Sequence, residues 1–310
     1  MFIRQPARAL MALLFLGLTS LPAYAETWQH EYGSVSLDNT PKRIITLNWA
    51  ATEALLLLGV TPVGMADRDG YEVWVNEPEL PAGVANIGTR VAPSLEAIAE
   101  LKPDLIVTSS EMAPASRQLE RIAPTYVISV YKEGHQPFEK AREMLTTLAE
   151  MLDREDQADT ILADLEQTLA TQRQRLKEAG MTDRPVALVN FLDDRHVRIY
   201  APNGLYQSTL SALGLENAWP MEGNFWGFSV VGLEAIAPYQ DSRLVVISPI
   251  LPGLADTLAT SPFWTYLSPV RRNQVYHIEA VWPFGGVFPV KRLATMLTDA
   301  LLDGGSDNVR

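Results

Sequence analysis

REDQADTILADLEQTLATQRQRLKEAG, residues 154–180, is the stretch that decides the fold. Ala158, Ile161, Leu162, Leu165, Leu169 and Leu176 mark one apolar stripe of a helix, and Gly180 with Pro185 just beyond stops it. About 25 residues at 1.5 Å each give a rod of roughly 37 Å, long enough to cross two lobes. Upstream, a second helical pattern starts at Pro137 and is divided from the rod at Asp153, with no strand-like run from Pro137 to Gly180. An ordinary helix of one large domain would show the same stripe. The two flanks argue for a divider.

Both flanks alternate short apolar runs with helical segments. Before the rod, WQHEYGSVSLD (28–38) reads as an edge hairpin and RIITL (43–47) as a buried strand. A helix over 52–58 closes at Gly59, and VTPVGMA (60–66) is a second strand. The segment around YEVWVNEPELP (71–81) reads as irregular, residues 114–122 as a helix and PTYVISV (124–130) as a strand. After the rod, RPVALVNFL (184–192) opens a new series. LEAIA occurs at 95–99, ahead of PDLIVTSS, and again at 233–237, ahead of SRLVVIS. Helix followed by a parallel-type strand in each half predicts two similar α/β lobes around one long helix. The boundaries fall at 26–153, 154–180 and 181–310. A chain of 310 residues also exceeds the roughly 250 to 300 at which single cores stop growing.

The first 25 residues read as a signal peptide: Arg4 and Arg8 precede ALMALLFLGL, and Ala23-Tyr24-Ala25 offers a cleavage point. That run is too short to span a bilayer, and no later one is long and apolar enough, so the product is expected to be exported and not membrane-inserted. With no cysteine there is no disulfide, thiolate metal site, cysteine nucleophile or lipidated cysteine, which favours a free periplasmic protein. Losing Arg4 and Arg8 takes the net charge two below −12, which argues against nucleic acid or an anionic membrane as partner.

Long strings then carry a specific resemblance: LNWAATEALLLLGVTPVGMAD (47–67), YEVWVNEPELP, IGTR (87–90) with PSLEAIAELKPD (93–104), GHQPFEKA (134–141), DDRHVRIYAPNGLYQ (193–207), LENAWPMEGNFWG (215–227) and EAVWPFGG (279–286). Over nearly the whole mature length the chain resembles the periplasmic binding proteins that serve ABC importers of iron–siderophores, haem and vitamin B12, and most closely their ferric hydroxamate (ferrichrome-type) branch. The resemblance implies two Rossmann-like lobes, each with a mainly parallel sheet, joined by one long helix (the class III arrangement). It also implies a monomer that captures a ferric hydroxamate siderophore and delivers it to an inner-membrane ABC permease. No cofactor, metal ligand set or catalysis is expected beyond that cargo. The alternatives are another iron chelate of the citrate type, haem, vitamin B12 or a periplasmic hydrolase.

A ferric tris-hydroxamate is already six-coordinate, so a pocket for it needs aromatic walls and a forked donor rather than metal ligands. By match to the family, Arg90 is assigned to the hydroxamate oxygens, although alone it would read as a surface salt bridge. Trp74, Trp226 and Trp282 are assigned to the walls, with Trp49, Asn224 and Phe284 beside them, although any single Trp is more often core. Met112 stands where the family has a pocket tyrosine, and Arg198 where it has an apolar residue; together they are expected to favour a more anionic ligand. Glu96 and Glu234, second residues of the twin LEAIA helices, are expected to dock on permease arginines. A first-turn carboxylate also simply suits the helix dipole. GFSVVG (227–232) has one residue too many for a hydrolase elbow, and His30, His135, His196 and His277 form no close pair.

Overall fold

The structure, a computed structural model, describes residues 26–134 and 136–306. The expected leader (1–25) and His135 lie outside them. The amino-terminal lobe contains β1 (Glu26–His30), β2 (Gly33–Leu37), β3 (Ile44–Thr46), α1 (Trp49–Leu57), β4 (Gly64–Met65), α2 (Arg68–Trp74), β5 (Ala85–Asn86), α3 (Leu95–Glu100), β6 (Leu105–Thr108), α4 (Ser116–Leu119), β7 (Thr125–Val127) and α5 (Pro137–Met151). Next comes the rod, α6 (Glu155–Glu178). The second lobe contains β8 (Val186–Phe191), β9 (His196–Tyr200), α7 (Leu205–Leu213), β10 (Phe228–Gly232), β11 (Arg243–Ile247), α8 (Leu254–Thr260), α9 (Pro262–Thr265), α10 (Ser268–Arg271), β12 (Val275–Ile278) and α11 (Phe288–Asp303).

Each lobe is built on one five-stranded sheet, in the order β5-β4-β3-β6-β7 and β10-β9-β8-β11-β12. Every pairing in the first is parallel. In the second, β8, β11 and β12 are parallel, while β9 runs antiparallel to both β8 and β10. The chain order reverses beside β3 and again beside β8, and sheets of this type take ligands at the carboxyl ends of the strands at such a reversal. The hairpin β1-β2 is tied to the first sheet through Glu31, whose carboxylate accepts from the Ser129 amide at 2.8 Å and hydroxyl at 3.0 Å.

The rod begins after Asp153, whose left-handed φ of 54 breaks the path from α5. Glu155 and Asp156 lie in its first turn and Arg175 and Lys177 in its last, each sign opposite to the dipole end it faces. Ala158, Leu165, Leu169 and Leu176 are buried against α5, α7 and α11. One apolar core runs from α1 and α5 through α6 to α7 and α11, so the lobes are fused along their helical side.

Three local expectations are revised. The second LEAIA forms a 3-10 turn, Leu233–Ile236, not an α-helix. Ser94 caps the first copy by accepting from the Ala97 amide at 3.2 Å. Gly232 has no side chain to do so, and Pro238 just beyond the repeat has no backbone N–H to donate to the Glu234 carbonyl, so the turn cannot lengthen into an α-helix. Second, the segment read as irregular opens with helix α2, which carries Trp74. Third, the helix expected over 114–122 is a 3-10 turn (Ser110–Ala115) running into the short α4.

Candidate functional site

A cleft of about 380 Å³ opens between the lobes, within the range of small-ligand sites. Its amino-terminal wall is made by residues that follow the carboxyl ends of parallel strands: Trp49 after β3, Asp67 after β4, Arg90 after β5, Glu111 after β6 and Tyr131 after β7. The opposite wall comes from Arg198 on β9, Phe225, Trp226 and Phe228 before or at the start of β10, and Trp282 and Phe284 after β12.

Arg90 is held by its protein neighbours. Its Nε lies 3.3 Å from Asp67 Oδ2, and its guanidinium carbon lies 3.9 Å above the centre of the Trp49 ring and 5.5 Å from that of Trp282. Trp49 is fixed in turn by its indole N–H, which donates to the Ala66 and Asp67 carbonyls at 3.2 Å each. A Cβ on Gly70 would come 2.7 Å from the Trp49 ring, so only glycine lets α2 lie this close. The Arg90 side chain remains 34% exposed, which leaves donors facing the cleft. Glu111 is reachable through the cleft mouth yet flanked by protein. Desolvation raises its pKa above the usual carboxylate value, and Arg90 pulls against that rise.

Aromatic rings continue the wall from lobe to lobe. Trp282 meets Trp49 edge-on at 4.6 Å and Phe284 at 5.0 Å. Phe284 meets Trp226 at 5.4 Å and Tyr131 at 5.6 Å. The Tyr131 hydroxyl donates to the Pro283 carbonyl at 2.9 Å and accepts from the Leu205 amide at 3.0 Å. Burial drives its pKa far above the usual phenol value, the Leu205 bond opposing. It therefore serves as a bolt between the lobes and offers the cleft its ring.

The segment following β12 is anchored in the first lobe at two further points. Glu53 on α1 is wholly buried, and its Oε1 accepts from the Phe288 amide at 3.1 Å. A Cβ on Gly285 or Gly286 would come 2.8 or 2.7 Å from its carboxylate. Desolvation pushes the Glu53 pKa up to about 8, offset in part by the Phe288 and Gly286 amides and by Arg292. Arg292 on α11 donates to the Val75 carbonyl of the first lobe at 3.0 Å and lies 3.4 Å from Glu77.

The cleft thus brings together Arg90, Trp49, Trp226, Trp282, Phe284 and Arg198, and leaves out Trp74, Met112 and Asn224. Trp74 sits behind Trp282 at 6.2 Å, backing that ring. Met112 is 6% exposed and does not line the cleft. Successive residues of a 3-10 turn differ by about 120°, so with Glu111 at the cleft its neighbour is turned inward. Asn224 shapes the NFWG turn, its Oδ1 accepting from the Trp226 amide at 2.9 Å. Sequence reading missed Asp67, Glu111, Tyr131, Phe225 and Phe228; their shared signal was a place just beyond a strand end or at the start of β10. Glu96 and Glu234 are exposed, one on each lobe and away from the cleft. His196 pairs with Asp193 at 2.9 Å on the surface, and neither it nor Ser229 of GFSVVG lines the cleft.

Two fused lobes enclosing a preformed aromatic cleft with a pre-oriented arginine define a small-molecule binding protein. Residues 44–281 match the family described as periplasmic binding protein, and the chain belongs to that family. It is 34% identical over 261 residues to the iron(3+)-hydroxamate-binding protein FhuD of Escherichia coli K12, covering 84% of this chain and 87% of that protein. It is 26% identical over 294 residues to the Fe(3+) dicitrate-binding periplasmic protein FecB of the same organism, covering 92% and 94%. Among solved structures it superimposes on the siderophore-binding protein FhuD from Vibrio cholerae, bound to Fe3+-Desferal, with a TM-score of 0.80 and 29% identity over 84% of this chain and 98% of that one.

Proposed function

We propose that the protein captures an iron(III)-hydroxamate siderophore between its lobes and delivers it, without catalysis, to an inner-membrane ABC permease. The observation that carries this reading is Arg90, fixed by Asp67 and laid on Trp49 at the head of an aromatic wall. A ferric hydroxamate presents oxygens with negative partial charge on an apolar frame. A forked, pre-oriented donor suits those oxygens, and rings suit the frame. The chelator saturates the iron, so no protein ligand to the metal is called for, and no resident cofactor either. The 34% identity to an iron(3+)-hydroxamate-binding protein supports the same cargo class.

The leader supports export to the periplasm, where the chain acts as a monomer. Glu96 and Glu234, exposed on separate lobes, are read as docking points for permease arginines. A core shared by both lobes and the Tyr131, Glu53 and Arg292 anchors favour small closure on binding. The test is a titration following tryptophan emission, with a neutral ferric trihydroxamate against its iron-free form, ferric dicitrate, haemin and cobalamin. Saturable quenching by the ferric trihydroxamate at micromolar concentration or below is expected. Saturation by haemin or cobalamin, with none by ferric hydroxamates, would overturn the reading.

A further inference from the structure

The two cleft arginines differ in how their charge is met. Arg90 has Asp67, and the other carboxylate lining the cleft among the described residues, Glu111, is on the same lobe. Arg198 faces them from the other lobe. It makes no ion pair among the described residues; its guanidinium carbon lies 4.4 Å over the Phe228 ring, its side chain hydrogen-bonds the neutral Tyr200 hydroxyl, and its Nε is buried with no hydrogen-bond partner. A buried cationic donor without an acceptor is costly, and the cost is relieved when an anion arrives to share it. Both acidic groups lining the cleft among the described residues thus lie on the first lobe's wall, while the second lobe's wall offers one cation with no counter-charge among aromatic rings.

Building on the reading that the cleft takes ferric hydroxamates, we propose that Arg198 is a specificity-determining residue that selects those carrying a carboxylate outside the iron coordination sphere. Arg90 serves the hydroxamate oxygens common to every such ligand. Arg198 serves the peripheral anion, which a neutral ferric trihydroxamate lacks. The apolar rings beside it exclude water, so the pairing is stronger than at a surface.

The test uses two ferric complexes of one linear trihydroxamate, one with a free terminal carboxylate and one with that carboxylate as its methyl amide, titrated against the wild type, Arg198→Gln and Arg198→Lys. The wild type is expected to bind the carboxylate form about tenfold tighter or more, the worth of one charge-assisted hydrogen bond. Arg198→Gln is expected to bring the two ligands within about twofold by weakening only the carboxylate form, while Arg198→Lys keeps part of the preference. Equal wild-type affinities overturn the proposal and need no variant. Equal weakening of both ligands in Arg198→Gln also overturns it, because Arg198 would then be gripping the shared hydroxamate oxygens. If the wild type binds neither complex, the parent reading falls and takes this one with it; binding of the methyl amide form separates the two failures.

Discussion

Replacing Glu53 with glutamine should change how stability depends on pH. Glu53 is buried between the lobes with Oε1 on the Phe288 amide and Oε2 without a partner, and its pKa is pushed up to about 8. In the unfolded chain it titrates near 4.5. Between those values the folded protein holds a proton that the unfolded chain has released, so stability falls as pH rises, by up to about 1.4 kcal/mol per unit, and levels off above about 8. Integrated from pH 5 to 8, this one group removes about 3 to 4 kcal/mol. Glu53→Gln keeps an acceptor for the Phe288 amide and does not titrate; its amide nitrogen adds an offset that is the same at every pH. Urea unfolding at pH 5, 6, 7 and 8 measures the difference between the two proteins and cancels the remaining carboxylates. The wild type should lose about 3 to 4 kcal/mol relative to the variant across that range. Parallel curves would refute the assignment of a buried, protonated carboxyl at the lobe interface.

Tyr131→Phe removes the hydroxyl that bonds Pro283 and Leu205 and strands both backbone groups, so urea unfolding should show a loss of about 1 to 3 kcal/mol; unchanged stability would contradict the bolt. Glu96→Lys and Glu234→Lys alter exposed side chains, and stability should move by no more than about 0.5 kcal/mol. Ligand affinity should stay the same while uptake of iron from ferric hydroxamate by cells falls. A parallel loss of affinity would remove their docking role.

The long helix was legible because its stripe and its stop at Gly180 are local signals, and Asp153 marks the break before it. Short strands such as Ile44–Thr46 were legible as apolar runs. The identical LEAIA copies diverged because the deciding residues, Ser94 and Gly232 before them and Pro238 after one, lie outside the repeat. At the site, the stretches were legible but the facing was not. Glu111 and Met112 are neighbours, and the phase of one 3-10 turn sends the acid to the cleft and the thioether inside. Trp74 and Trp282 look alike as single tryptophans, and only the packing of two lobes makes one the wall and the other its backing. Glu53 and Arg292 read as ordinary charged helix residues; their meaning as anchors exists only once segments more than 200 residues apart meet.

The most direct test is a crystal structure of the protein grown with a ferric trihydroxamate, with the iron located by its anomalous scattering. The expected result is a single iron in the cleft between Arg90 and the Trp226, Trp282 and Phe284 rings, hydroxamate oxygens facing the guanidinium and no protein atom in the metal's coordination sphere. Iron bound outside the cleft, or coordinated by a side chain of the protein, would contradict the account.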